Sequence, residues 1–309
     1  TSRVDVDSEI IRRIEHYCGF FQHAYHAVPA RHREMPYRVF LRLVQERLQA
    51  TYDDGAYPYD SSDQFLSDIN LLSTSLSTNN GQNAGLFAIK RLLRRIETFG
   101  FHFMTLDVRQ DALVLRQVVG ELLGEERWLE MHPDNRLERI VEAIRARDSV
   151  SDQQSVQARK TLAVFQAIGF CRRKYGPRSI GPFIVSMTQG PDDILSVLLL
   201  ANWSELHNRR DEVPLDIAPL LETVNDLKRG TEVLRSMLDN DLYREHLRQR
   251  NEQQTVMIGY SDSNKDSGLA SARWALQNAQ VDLVNVVAER DIELHLFHGR
   301  GGTISRGGG

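Results

Sequence analysis

The sequence predicts an α/β fold that is mostly helical, with five parallel strands arranged in a sheet or barrel. Three observations lead to this prediction. The first hundred residues show helical apolar spacing, the later residues alternate short apolar runs with helical segments, and polar residues follow the apolar runs. Strands that alternate with helices are typical of βα units, whose strands pair in parallel.

The first hundred residues are predicted to be helical. Ile10, Ile14 and Tyr17 recur at spacings of four and three, which places them on one face of an amphipathic helix. Pro36 fits the first turn of a following helix, and Gly100 fits the C-terminal end of another. We expect residues 1–100 to form a helical region that packs on a second region, residues 101–309.

The second region contains the strand-like runs, at residues 101–108, 182–187, 215–221, 255–261 and 292–298. Helical segments separate them, at residues 112–124, 192–203, 231–250 and 269–290. The interval 109–181 is long for one crossover connection, so we expect it to hold several helices.

Composition excludes several classes of protein. The formal net charge of −4 gives the chain no electrostatic basis for binding nucleic acid. No apolar run approaches the roughly 20 residues that a membrane helix needs. Cys18 and Cys171 are far apart in sequence, which argues against a disulfide framework and favours the reducing cytoplasm.

Polar residues whose side chains could bind a ligand or take part in catalysis follow each strand-like run. Ligands bind at the carboxyl ends of parallel strands, so these residues are candidates for a common site. The candidates are Asp107, Arg109 and Asp111, then Ser186 and Thr188, then Glu222, then Asp262, Lys265 and Asp266, and finally His298, Arg300 and Arg306.

The last run leads into a glycine-rich segment, residues 299–309. Its glycines, Gly301 and Gly302 among them, let backbone N–H groups approach an anion closely. Arg300 and Arg306 offer planar guanidinium groups for phosphate or carboxylate, and His298 can exchange protons nearby. On its own, the segment also fits a solvated loop or an RGG-type nucleic-acid-binding tail.

Two carboxylates are candidates for a metal site. Glu222 and Asp262 follow neighbouring strand-like runs, and paired carboxylates commonly hold Mg²⁺ together with a substrate phosphate. Lys265 fits a phosphate partner or an electrophilic catalyst. The alternatives are a solvated Glu222 and an ion pair of Arg109 with Asp107 or Asp111.

Taken together, these segments resemble the phosphoenolpyruvate carboxylase family, in its bacterial form. The family's two signatures appear here as VMIGYSDSNKDSG and FHGRGGTISRGGG. Supporting matches in the family's order are MPYRVFLRLVQERL, ETFGFHFMTLDVRQDA, FIVSMTQGPDDILSVLLL and APLLETVNDL. The resemblance covers nearly the whole chain.

The resemblance implies a partial β/α (TIM-type) barrel and a lyase that joins bicarbonate to phosphoenolpyruvate, giving oxaloacetate and phosphate. It implies that Glu222 and Asp262 hold Mg²⁺ or Mn²⁺. It also implies roles for residues that match the family's motifs. Lys265, His298 and Arg300 would be catalytic, and phosphate would be bound by Arg109, Arg300, Gly301, Gly302 and Arg306.

For the full enzyme, the resemblance implies a cytoplasmic homotetramer that fixes carbon dioxide to replenish the tricarboxylic acid cycle. It would be regulated by an acidic effector, aspartate or malate. We expect this chain to be an internal piece that lacks the family's TAHPT histidine and closing strands, and therefore to be inactive alone. The alternatives are another barrel enzyme that handles phosphoenolpyruvate and an RGG-type nucleic-acid-binding module.

Overall fold

The computed structural model describes residues 6–148, 150, 154–208, 210–259, 263, 265 and 267–299. The chain divides into two compact units. Unit 1 comprises Thr1–Thr105 and Arg172–Ser179, and unit 2 comprises Leu106–Cys171 and Ile180–Gly309.

Unit 1 is helical, as predicted for the first hundred residues. Its main helices are α1 (Ser8–Phe20), α2 (Gln22–His26), α3 (Pro36–Tyr52), α4 (Ser62–Thr78) and α5 (Phe87–Phe99). Pro36 is the first residue of α3 and Gly100 caps α5 with a φ of 51°, so both predicted helix boundaries are confirmed. Ile10 and Tyr17 are buried on one face of α1.

The core of unit 1 contains a buried carboxylate, Asp68. Its two oxygens accept hydrogen bonds from Arg13 at 2.6 Å, Tyr17 at 2.7 Å and Tyr59 at 2.6 Å. Burial, reinforced by the charge of Asp68, raises the pKa of Tyr59. The three donors satisfy the charge of Asp68, as a buried carboxylate requires.

Unit 2 alternates strands and helices. The strands are β1 (Leu106–Asp111), β2 (Ile180–Ser186), β3 (Ile217–Leu221), β4 (Gln253–Ile258) and β5 (Glu293–His298). The helices are α6 (Ala112–Leu123), α7 (Pro133–Ala146), α8 (Val156–Tyr175, whose last four residues belong to unit 1), α9 (Pro191–Trp203), α10 (Val224–Leu238), α11 (Asp241–Gln249) and α12 (Leu269–Ala288). The predicted α/β class and the several helices between β1 and β2 are confirmed.

The five strands form one parallel sheet whose spatial order is the order along the chain. Every residue of β3 is buried, whereas β1 and β5, which lie at the two ends of the described sheet, are largely exposed. Burial on both faces is typical of a central parallel strand.

Successive residues of a strand point to opposite faces of the sheet. On one face, residues such as Phe183, Val185 and Ile258 join the large core that the helices cover. On the other face, Ile184, Ala218 and Leu220 form a small separate cluster with Met257. We call this second side the small-cluster face.

All five predicted strand-like runs overlap a strand, but the first, 101–108, is displaced and shares only residues 106–108 with β1. β1 begins at Leu106 because Gly100 and Phe103 adopt positive φ and turn the chain, while Phe101 packs in the core of unit 1. Asp107, Arg109 and Asp111 therefore lie within the strand and not after it.

A second correction concerns the segment 231–250, which was predicted as one helical stretch. The chain breaks there between α10 and α11, because the side chain of Asn240 caps α11 by accepting from the N–H groups of Leu242 and Tyr243. α8 and α12 have 20 residues each, and neither these nor any other described helix is apolar enough to cross a membrane.

Candidate active site at the carboxyl ends of the strands

Arg109 and Glu222 reach the same side of the sheet from different strands. Arg109 is in register with Ile184, and Ile184 is in register with Ala218, so Arg109 lies on the small-cluster face. Glu222 directly follows β3 and lies two residues beyond Leu220, which points to the same face. The strand order thus brings a cation and an anion together across β2.

The two side chains form an ion pair. Nη2 of Arg109 donates to Oε1 of Glu222 at 2.5 Å. The Arg109 side chain is 51% exposed, whereas the Glu222 side chain is only 11% exposed. The ion pair of Arg109 that the sequence left open is therefore formed with Glu222, and not with Asp107 or Asp111.

The backbone of Glu222 is fixed by hydrogen bonds at the start of α10. Its N–H donates to Oδ2 of Asp226 at 3.3 Å. Asp226 and Thr223 form a reciprocal capping box at the start of α10, with bonds of 2.9 and 3.1 Å. Because the residue lies between a buried strand and a capped helix, its position is fixed by both elements.

Gly259 lets the end of β4 approach Glu222 closely. The N–H of Gly259 donates to the carbonyl of Leu221 at 2.7 Å, and a Cβ on Gly259 would lie 2.8 Å from the Cα of Glu222. The N–H of Gly299 donates to the carbonyl of Ile258 at 3.0 Å. The segment that follows β4 therefore begins beside the end of β3, and the segment that follows β5 begins beside the end of β4.

The remaining predicted site residues are placed only in part. His298 is the last residue of β5, is exposed, and is in register with Ile258. Lys265 is also exposed. Ser186 and Thr188 are buried, and their hydroxyl groups donate to the carbonyls of Gln110 and Val185. Six further predicted residues lie outside the part of the chain that the structure describes, namely Asp262, Asp266, Arg300, Gly301, Gly302 and Arg306.

Two buried ion pairs near this edge were not predicted from the sequence. Arg116 on α6 donates to both oxygens of Asp193 on α9, at 2.6 and 2.7 Å. Oδ2 of Asp193 also accepts from the N–H of Gln189 at 2.8 Å, in the loop after β2. Asp193 therefore ties that loop to α6.

The second buried pair joins Asp192 to Arg136, at 2.8 Å. Burial, and then the adjacent carboxylate of Asp193, raise the pKa of Asp192, while Arg136 opposes the rise. The sequence signal was two aspartates after Gly190 at the start of an apolar helix. Nothing in the sequence indicated which arginines they meet.

Glu222 fits one oxygen ligand of a hard divalent cation, because it is a largely buried carboxylate at a strand end. Among the described residues, no group of three or more His, Cys, Asp or Glu side chains could hold a metal ion, and Asp262 is not among those residues. Arg109, with a half-exposed guanidinium, fits a phosphate or carboxylate ligand.

Comparison with known proteins identifies the family. The family model described as phosphoenolpyruvate carboxylase matches residues 1–309. Proteins named phosphoenolpyruvate carboxylase from Xanthomonas oryzae pv. oryzae and Nocardia farcinica are 40% and 37% identical, covering 100% and 91% of this chain but 34% and 33% of their own lengths. The chain thus spans about a third of the length of the curated relatives it matches, and it belongs to the phosphoenolpyruvate carboxylase family.

Proposed function

We propose that the chain is an internal segment of an enzyme that joins bicarbonate to phosphoenolpyruvate, giving oxaloacetate and inorganic phosphate. The family match over all 309 residues supports this activity, and the length of the relatives supports the view that further polypeptide completes the enzyme. The same match favours this function over another phosphoenolpyruvate-handling barrel enzyme or an RGG-type nucleic-acid-binding module.

The proposed architecture is a sector of a TIM-type β/α barrel, residues 101–309, together with a helical region, residues 1–100. Two features of the described sheet support the barrel. The five strands are parallel and follow one another in chain order, without the reversal of a doubly wound sheet. The small-cluster face carries side chains of a kind that fill a barrel interior, such as Ile184 and Leu220.

In the proposed site, Glu222 and Asp262 hold Mg²⁺ or Mn²⁺. The bound ion would supply positive charge against the phosphate and the developing enolate. Glu222 is suited to this role because β3 and α10 fix its backbone, while one face of its carboxylate is open enough to reach Arg109.

Arg109, Arg300 and Arg306 orient the phosphate through their guanidinium groups, with N–H groups of Gly301 and Gly302. Lys265, His298 and Arg300 act at the reacting atoms, where a cation or a proton donor would stabilise developing negative charge. The contact of the Arg109 side chain with Glu222 at the end of β3 and the position of His298 at the end of β5 support these assignments.

The observation that carries the proposal is the meeting of Arg109 and Glu222 on one face, although they are 113 residues apart in sequence. A metal ligand and a phosphate-binding cation must lie within a few ångströms of each other, since the metal and the phosphate bind together.

The experiment is a coupled assay of oxaloacetate formation by the longer protein that carries this chain. We expect Glu222→Gln and Arg109→Gln each to lower kcat/KM by about a hundredfold or more. The control is Arg127→Gln, because the ion pair of Arg127 with Glu130 is highly exposed. Bicarbonate-independent turnover by the parent protein, or full activity of both site variants, would contradict the proposal.

The proposal extends to features of the whole protein, which we infer to be a cytoplasmic homotetramer inhibited by an acidic effector such as aspartate or malate. The isolated 309-residue chain is expected to show no turnover. Oxaloacetate formation by the isolated chain, measured in the same assay, would contradict that expectation.

A further inference from the structure

We propose that Arg109 is an internal substitute for the metal ion, which holds Glu222 until metal and phosphate arrive and then exchanges partners with them. The structure shows Arg109 paired with Glu222, which is the proposed resting arrangement. In the loaded site, Glu222 binds the cation and Arg109 binds the phosphate. This inference rests on the proposed function, because it needs Glu222 as a metal ligand and Arg109 as a phosphate ligand.

Arg109 and a divalent cation compete for the carboxylate of Glu222. Oε1 of Glu222 accepts from Arg109 at 2.5 Å. A divalent cation that binds this carboxylate would stand next to a guanidinium of the same sign of charge, which is unfavourable at such short range. The guanidinium must therefore leave Glu222, or the metal binds weakly.

The contact between Arg109 and Glu222 can be broken more easily than that of a fully buried ion pair. It rests on one N–O contact, and the arginine is 51% exposed. Arg116 and Asp193, by contrast, share two contacts and are 12% and 0% exposed. The half-exposed arginine is readily solvated or taken up by an anion when it leaves, whereas the largely buried Glu222 needs another cation in its place, which the metal ion would supply.

Of the two partners, Arg109 is the one that can move. Glu222 is fixed by the capping box of α10 and by the close approach of Gly259. Arg109 lies on β1, an exposed strand at one end of the described sheet, and its guanidinium is on a long side chain. The exchange is therefore a rotation of the Arg109 side chain toward the phosphate, while the carboxylate stays in place.

The exchange has a thermodynamic consequence. An anion that removes Arg109 from Glu222 prepares the carboxylate for the metal, and a metal on Glu222 frees Arg109 for the anion. Each ligand then raises the affinity for the other by the same factor. The pair thereby disfavours binding of either ligand alone.

The test is a titration of the longer protein that carries this chain with Mn²⁺, followed by electron paramagnetic resonance, with and without phosphoenolpyruvate. The Mn²⁺–phosphoenolpyruvate complex measured without protein is subtracted. We expect Arg109→Gln to tighten binding of Mn²⁺ alone by about three- to tenfold. We also expect phosphoenolpyruvate to tighten Mn²⁺ binding by about fivefold in the unmodified protein and by less than about twofold in Arg109→Gln.

The matched control is Arg229→Gln. Arg229 is an exposed arginine at the same edge, where its Nη2 donates to the carbonyl of Gln189 at 3.5 Å. It tests whether removal of one positive charge is enough to tighten Mn²⁺ binding. An equal effect of Arg229→Gln and Arg109→Gln would overturn the exchange in favour of a general charge effect.

The remaining outcomes separate this inference from the proposed function. If Glu222→Gln abolishes Mn²⁺ binding but Arg109→Gln leaves it unchanged or weaker, the exchange is wrong and the metal site stands. If Mn²⁺ binding does not depend on Glu222, both the metal site and the exchange fail. Circular dichroism spectra of the variants confirm that each one keeps the fold.

Discussion

Unit 2 contains two arginine–carboxylate pairs of the same chemistry in different surroundings. Arg116 and Asp193 lie beneath the loop after β2, with contacts of 2.6 and 2.7 Å and side chains that are 12% and 0% exposed. Arg109 and Glu222 lie at the strand ends, with one contact and an arginine that is 51% exposed. Burial, and not residue type, distinguishes a pair that holds structure from a pair that can exchange ligands.

The physical reason lies in what remains when one partner is removed. A buried charge that loses its partner stays desolvated and uncompensated, whereas an exposed charge is solvated by water. The Arg116–Asp193 pair therefore can be lost only with the local structure. The Arg109–Glu222 pair can open while the sheet stays intact when another cation replaces Arg109 beside the largely buried Glu222.

The largest expected effect breaks the buried pair. We expect Asp193→Ala to lower the free energy of unfolding by about 3–5 kcal/mol, because Arg116 is left buried without a counter-charge and Gln189 loses an acceptor. Urea unfolding followed by circular dichroism measures this. The double variant Arg116→Met/Asp193→Leu should recover part of the loss. A loss below about 1 kcal/mol for Asp193→Ala would remove the distinction between the two pairs.

His246 is a buried neutral group near the amino ends of the strands, and it tests how burial affects stability. Burial, and to a smaller extent the charge of Arg250, lower the pKa of His246 to about 4, while Asp216 and the backbone of Leu215 oppose this. The unfolded state takes up a proton at this residue below about pH 6.5, but the folded state does so only near pH 4. Stability is therefore retained above pH 6.5 and falls as the pH drops from 6.5 to 4.

We expect this residue to account for a loss of roughly 3 kcal/mol over that pH range. The measurement is the urea midpoint of unfolding at several pH values between 7 and 4. The variant His246→Phe, which cannot take up a proton, should lose less stability over the same range. Equal slopes for the two proteins would show that His246 is not responsible.

A smaller effect is expected from the glycine beside the exchangeable pair. In Gly259→Ala, the added methyl group would lie 2.8 Å from the Cα and 3.1 Å from the carbonyl oxygen of Glu222, so the backbone must shift. We expect a loss of about 1–3 kcal/mol in the free energy of unfolding. Gly124→Ala is a useful contrast, because it tests positive φ where no atom lies within 4 Å.

The smallest effect is expected at the exposed pair itself. Arg109→Gln should lower the free energy of unfolding by about 1 kcal/mol. The loss stays small because the arginine is half exposed, salt screens the contact, and the amide of glutamine can still donate to the largely buried Glu222. Urea unfolding at low and high salt measures it. A loss comparable to that of Asp193→Ala would mean that Arg109 is structural and that the proposed exchange costs too much to occur.

Much of the fold could be predicted from the sequence, because β2 to β5 are apolar runs and helical spacing is strong between them. The first strand was misplaced for a physical reason. Phe101, Phe103 and Met104 form an apolar run, but positive φ at Phe103 turns the chain, and the polar segment Leu106–Asp111 pairs with β2 instead. Tertiary pairing overrode the local apolar pattern.

For the candidate site, the sequence indicated the chemistry but not the contacts. Arg109 and Glu222 were both singled out, yet no local pattern links residues that far apart, and only the strand order brings them together. Arg116 and Arg136 were missed because arginine on a helix is usually exposed. Their partners Asp192 and Asp193 begin the predicted helical segment 192–203, and no role was predicted for them.

The long connection between β1 and β2 has a consequence for the order of folding. α6, α7 and α8 separate these two strands, whereas β2 to β5 are joined by shorter connections. Closing the longest loop is entropically the most demanding step, so we expect β1 to pair last. The Arg109–Glu222 contact would then form only when the sheet is complete. If β1 also separates first when the native state opens, the backbone amides of Val108 and Gln110 should exchange hydrogen faster than the amides of the other paired strands.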